Sequence, residues 1–189
     1  MPVKAALCYL ALLGLTLAAG CSEPEYPEID HSHDGDLIQV DADALNAVVQ
    51  ASTREGKVTV VEVWATWCAP CIDLIPLMKK AAHDRGDQMR LISVSVDGQE
   101  DAGQAKTTLQ QLEKDISEEF GIHAHLLENA YILPDPVHQK ALLGDAIAPP
   151  TVFIYGTDGQ LFKRIDGSDA NSLIGEITQA IDDAIAAAG

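Results

Sequence analysis

The stretch Val58-Thr59-Val60-Val61-Glu62-Val63-Trp64-Ala65-Thr66-Trp67-Cys68-Ala69-Pro70-Cys71 decides the fold. Its first seven residues are β-branched or apolar at nearly every position, which marks a strand buried on both faces. The pattern then changes. Two cysteines three apart enclose a proline, and a helical pattern continues to about His83 before Arg85-Gly86-Asp87 breaks it. The chain thus runs from a central strand straight into a helix that starts at the two thiols. Proline is tolerated in a first turn, where an N–H has no intrahelical acceptor.

Outward from this unit, strand and helix alternate. Leu37–Val40 reads as a short strand, and Asp41 or Asp43 caps a helix to about Arg54 with Leu45, Val48 and Val49 on its apolar face. Arg90–Val96 is the next strand, ending at Asp97-Gly98. Gln104–Phe120 predicts a helix, Ile122–Leu127 a short strand, Tyr131–Pro136 a loop and Val137–Leu143 a short helix. Thr151–Tyr155 and Leu161–Ile165 flank a hairpin turn at Gly156-Thr157-Asp158-Gly159, and Asn171–Ala187 closes the chain as a helix. The expected class is α/β, a mixed central sheet flanked by helices, with a helical insertion over about 102–147 ahead of the last hairpin.

The first twenty residues read as an address. Met1–Lys4 carries one positive charge, Ala5–Ala19 is apolar and uncharged, and Ala18-Ala19-Gly20 are small. That is the pattern of a secretory signal peptide, too short for a comfortable membrane span. Leu17-Ala18-Ala19-Gly20-Cys21 resembles a bacterial lipobox, in which Cys21 is lipidated and becomes the mature N-terminus. Ser22 in place of Asp favours the outer membrane in that scheme. Residues 21–36 form an acidic, proline-containing tether without Lys or Arg, and 37–189 form the folded domain. His31 and His33 fall in the tether and read as solvated linker.

The chain has 189 residues and 12 Lys+Arg against 29 Asp+Glu, a formal charge of −17. This acidity excludes nucleic acid as a partner, because a phosphate backbone is held by clustered basic groups. It equally excludes a polybasic membrane-surface module. Export would place the cysteines in a compartment that permits disulfides.

Cys68 and Cys71 carry the chemistry. Their spacing in a first helical turn suits a small disulfide loop. The helix dipole and unsatisfied amides at a helix start favour a negative charge and lower the pKa of a thiol there. Cys68 is the expected attacking thiolate. Cys71, one turn inward, would resolve the mixed disulfide. The alternatives are a structural bridge or half of a zinc site. Zinc needs about four ligands, and the chain has no second cysteine pair beyond the leader. Nothing in the pattern calls for a cofactor.

On these residues the chain resembles the thioredoxin superfamily, and more narrowly the exported TlpA/ResA-like members. Trp64-Ala65-Thr66-Trp67-Cys68-Ala69-Pro70-Cys71 matches their Trp-Ala-x-Trp-Cys-x-Pro-Cys run. Pro76 matches the proline that kinks the active-site helix, Pro150-Thr151 the cis-Pro-Thr pair beside the dithiol, Asp158-Gly159 the hairpin turn and Gly167 the glycine after the last strand. The resemblance implies a thioredoxin-like fold and a thiol:disulfide oxidoreductase, acting as a reductant. It implies exported disulfide proteins as substrates and a transmembrane thiol-transfer protein as electron donor. Trp67, Ala69, Pro70 and Pro149 are the expected substrate-contacting residues.

Three further positions bear on mechanism. Glu62 is an acid in an apolar strand, where burial would raise its pKa and fit it to take a proton from Cys71. Pro149 departs from the family pattern: it has no N–H, so one of two main-chain bonds to an extended substrate is missing. His123-Ala124-His125 would place two imidazoles on one side of a strand. That pair supports a second reading, a thioredoxin-fold metal chaperone using Cys68, Cys71, His123 and His125.

Overall fold

The computed structural model describes residues 37–144 and 149–189. The leader, Cys21, the acidic tether with His31 and His33, and residues 145–148 lie outside the described residues. The elements are β1 (Ile38–Gln39), α1 (Ala42–Arg54), β2 (Val58–Trp64), α2 (Ala69–Arg85), β3 (Met89–Ser95), α3 (Ala102–Phe120), β4 (Ala130–Ile132), α4 (Pro136–Leu143), β5 (Thr151–Tyr155), β6 (Leu161–Asp166) and α5 (Ala170–Ala187). They form one six-stranded sheet in the order β1-β4-β3-β2-β5-β6. The first four strands in that order run parallel, and β5 runs antiparallel to both of its neighbours, β2 and β6. This is the expected α/β class with a mixed sheet.

β2 lies in the middle because every one of its residues is apolar enough, or uncharged enough once buried, to lose water on both faces. Its odd and even positions serve different layers. Val61 and Val63 join a core with Leu45, Val48 and Val49 of α1, over which α4 also packs. Val58 and Val60 join Leu74 and Met78 of α2 and Ile177 and Ile181 of α5. Asp41 caps α1 by accepting the Ala44 N–H at 2.8 Å, and Gly121 closes α3 at φ 67°. Pro76 sits inside α2, which nevertheless continues to Arg85.

The middle block differs from expectation. The strand falls at Ala130–Ile132, within the stretch read partly as a loop, and Ile122–Leu127 is not a strand. Ile122, Ala124 and Leu126 are indeed buried alternately. The run is turned aside when the Glu113 carboxylate accepts the N–H groups of Leu126 (2.5 Å) and Leu127 (3.3 Å), starting a 3-10 turn. β4 then enters between β1 and β3, so the block supplies a sheet strand besides helices α3 and α4. Gln139 of α4 donates to the carbonyls of Val96 (3.0 Å) and Leu133 (2.8 Å), fixing α4 at the ends of β3 and β4.

Gly159 closes the β5–β6 turn at φ +76°, and a Cβ there would stand 2.7 Å from Gln50 Oε1. Gln50 Nε2 also donates to the Gly159 carbonyl at 3.1 Å. Gly159→Ala should therefore lower stability by about 1–2 kcal/mol. An unchanged urea midpoint would rule out the positive-φ turn.

Candidate active site

The dithiol sits where β2 ends. A tight turn closes when the Cys68 N–H donates to the Ala65 carbonyl at 3.0 Å. Cys68 is then the N-cap of α2, followed by Ala69 and by Pro70 in the first turn. Cys68 and Cys71 are disulfide-bonded, with Cα atoms 5.3 Å apart. Cys68 keeps 5% of its surface and Cys71 1%, so the expected order of access holds by a small margin. Trp67, 65% exposed, stands beside them as the largest apolar surface of the site, and Ala69 is exposed too.

The helix start contributes fewer free amides than its position suggests. Pro70 has none, and the N–H groups of Cys71 (3.0 Å) and Ile72 (3.2 Å) both donate to the Cys68 carbonyl. What favours a thiolate is then chiefly the dipole of a 17-residue helix rather than a ring of open donors.

The cis-Pro loop faces the sulfur. The Pro149–Pro150 peptide is cis, and Cys68 Sγ lies 3.4 Å from the Pro149 carbonyl oxygen. A reduced Cys68 could donate its S–H there. Thr151, next in line, donates its hydroxyl to Asp166 Oδ1 at 2.8 Å. Arg164 pairs with the same carboxylate at 3.0 Å, donates to the Leu143 carbonyl at 2.9 Å and lies 5.2 Å from the centroid of the Phe153 ring. This bracket holds the strand behind Pro150 and the end of α4 in place.

Two acids lie close to the dithiol segment, in opposite surroundings. Glu62 shares its face of β2 with Val58 and Val60, beneath α2, the helix that carries Cys71. It is 3% exposed, and neither carboxylate oxygen has a hydrogen-bond partner among the described residues. Burial pushes its pKa from 4.5 up to about 8; the Ser93 hydroxyl, short of a hydrogen bond, and the Lys79 charge pull weakly the other way. Asp97, by contrast, is 1% exposed and surrounded by donors: Thr66 N–H at 3.0 Å, Thr66 Oγ1 at 2.7 Å and Ser95 Oγ at 2.7 Å. In the sequence, Asp97 marks only the end of a strand. Its partner Thr66 lies 31 positions earlier and meets it only because β2 and β3 end side by side.

The structure does not bring the histidines to this site. His123 and His125 are exposed, on the loop after α3. His123 shares a cavity with Met89, Arg90 and Leu91 at the start of β3, whereas the dithiol lies at the far end of the neighbouring parallel strand. Seven strand residues at about 3.3 Å each separate the two regions by roughly 20 Å. Among the described residues, no group of three or more His, Cys, Asp and Glu is placed to hold a metal.

Comparison with known proteins agrees with this geometry. A family model described as Thioredoxin matches residues 36–110. The chain is 35% identical over 72 residues to the thiol-disulfide oxidoreductase ResA of Oceanobacillus iheyensis, covering 38% of each chain. It is 29% identical over 142 residues to the thiol:disulfide interchange protein CycY of Rhizobium leguminosarum bv. viciae, covering 75% of this chain and 67% of that one. Against three curated relatives, ResA and two thioredoxins, it spans only 38%, 56% and 58% of their lengths. The crystal structure of a thiol:disulfide interchange protein, thioredoxin family protein, from Chlorobium tepidum TLS superposes with a TM-score of 0.51 at 18% identity, over 71% of this chain and 84% of that one. That likeness establishes the fold.

Proposed function

Because the chain carries a thioredoxin-family domain, and the TlpA/ResA-like group fits it, we propose that it is a membrane-tethered thiol:disulfide oxidoreductase that reduces disulfides of exported proteins. The carrying observation is the Cys68–Cys71 pair at the N-terminus of a helix, bonded, adjacent to the cis-Pro loop and flanked by the exposed Trp67.

The cycle follows from these positions. Reduced Cys68, as thiolate, attacks a substrate disulfide; one substrate sulfur leaves as a thiolate and takes up a proton, and Cys68 is joined to the other. Cys71 then loses its proton to Glu62 and attacks Cys68 Sγ, which frees the second substrate thiol and forms the observed bridge. With a pKa near 8, about a tenth of Glu62 is ionised at pH 7, and it is this fraction that accepts the Cys71 proton and passes it on. Two electrons per turn must be returned to the bridge, and a transmembrane thiol-transfer protein is the proposed donor.

The leader, Cys21 and the acidic stretch support a lipid anchor on the outer membrane, with the domain facing the periplasm. Among the described residues, no helix is long and apolar enough to cross a membrane. Reduction of insulin disulfides by the reduced chain tests the reading. Absence of turnover at every pH between 6 and 9 would remove it. The metal-chaperone reading would need Cu(I) or Zn binding that is lost in a His123/His125 double variant, and the separation of those residues from the dithiol tells against one shared site.

Pro149 limits how substrate is held. Its carbonyl can accept one substrate N–H, but it returns no donor. Pro149→Ala restores the missing N–H, and one hydrogen bond at about 0.5–1.5 kcal/mol should lower KM for an extended disulfide peptide roughly two- to tenfold. A KM that does not move would show that substrate is not bound as an added strand.

A further inference from the structure

We propose that Asp97 is a positioning residue for the dithiol: anchored by Ser95, it holds the turn before Cys68 through Thr66 and so sets how readily Cys68 becomes the attacking thiolate. The proposal rests on the thiol-exchange reading above and adds a residue to it.

The contacts of Asp97 are all donors. Thr66 N–H reaches both carboxylate oxygens, at 3.1 and 3.0 Å, and Thr66 Oγ1 reaches Oδ1 at 2.7 Å. Ser95 Oγ lies 2.7 Å from Oδ2. The Ser95 oxygen already accepts the N–H of Asp97 itself at 3.1 Å, so its own hydrogen is directed to the carboxylate. An acceptor-only carboxylate suits such a shell, whereas a carboxylic acid would have no partner in it for its own proton. These are charge-assisted bonds to a side chain that is 1% exposed, and such bonds are about twice as strong as neutral ones.

Their location ties them to the sulfur. Thr66 lies inside the turn that the Cys68 N–H closes on the Ala65 carbonyl. The backbone joins the same two strand ends again, with Val96 N–H donating to the Trp64 carbonyl at 2.9 Å. Cys68 thus leaves a turn that is fixed on one side by β3. A buried negative charge behind that turn opposes a second one on sulfur, and the three donors moderate the opposition by drawing the charge onto themselves. The titratable side chains on the elements next to this segment are Cys71 on α2, Glu62 on β2, Glu100 and Asp101 in the turn after Gly98, and Asp135, His138 and Lys140 of α4 and its cap, whose Gln139 reaches the Val96 carbonyl. Pro149, Pro150 and Thr151 of the cis-Pro segment carry none.

The test follows alkylation of Cys68 by iodoacetamide across pH in the full, reduced chain, read by peptide mass spectrometry. Asp97→Asn removes the charge but keeps an acceptor for Thr66; below the titration midpoint it should speed alkylation about three- to tenfold, the scale of one charge removed at several ångströms in a partly polarisable interior. Thr66→Val removes one donor and leaves the charge less shared, so it should slow alkylation, and Thr66→Ser should restore the wild-type rate. Two variants moving the same way, or neither moving, would overturn the proposal. If Asp97→Asn does not fold, the Thr66 pair decides alone: Val slow with Ser normal supports it, and no difference between them defeats it. Failure of the wild type to reduce insulin would count against the exchange reading, and it is scored separately from these shifts.

Discussion

Cys68→Ser is expected to abolish insulin reduction, leaving only the rate of the small-molecule dithiol supplied as electron source. Serine keeps the N-cap and the Ala65 turn, so the fold should persist while the attacking sulfur is lost. Cys71→Ser should behave differently. Its Cys68 can still attack, but no neighbouring thiol frees it, and the chain should accumulate as a mixed disulfide with substrate. Non-reducing electrophoresis reads the adduct directly. Turnover surviving in Cys68→Ser, or equal adduct from both variants, would reverse or remove the assigned roles. The small difference in exposure, 5% against 1%, is what assigns attack to Cys68.

The second large effect concerns Glu62 and has a definite sign. Its carboxyl titrates near 8 in the fold and near 4.5 when free. Across that interval the folded chain holds a proton that the unfolded chain has released. The stabilisation is therefore complete below about pH 4.5 and is lost as pH rises through 8. With roughly 1.4 kcal/mol per pH unit, the loss is on the order of 3 kcal/mol by pH 7. The urea midpoint of the oxidised chain should fall between pH 5 and 8 and level off above that, and that of Glu62→Gln should be nearly flat. Glu62→Gln should also slow resolution of the mixed disulfide at pH 7, on the order of tenfold or more. A flat wild-type profile would mean that the carboxyl is not held neutral by burial. An unchanged resolution rate would take Glu62 out of the proton path.

Much of this was legible in the residues. Val58–Trp64 and the Cys68–Cys71 helix start carry strong signals, because a fully apolar strand and a thiol pair around a proline have few other uses. Residues 122–136 depart from their sequence pattern for a physical reason. Ile122, Ala124 and Leu126 alternate as a strand does, but a side chain thirteen positions away, Glu113, diverts the backbone. Ala130–Ile132 is too short for any period to show, and only its neighbours β1 and β3 make it a strand. Asp97 next to Gly98 has the composition of an ordinary turn. Nothing local distinguishes it from one that collects three donors under a catalytic loop. Pro149 and Glu62 were found because each breaks a pattern, an N–H missing where one is used and an acid where none is expected.

Among the described residues, β1 is two residues long and pairs only with β4, reinforced by one bond from Val40 N–H to the Ile132 carbonyl at 3.0 Å. Tension applied at residue 37 would therefore be borne first by a seam that the middle block provides. Two further inter-strand steps, roughly 10 Å, lie between β4 and β2. Under the proposed amino-terminal tether, a mechanical load would reach this short outer ribbon before the turn under Cys68, so the edge next to the tether would yield first.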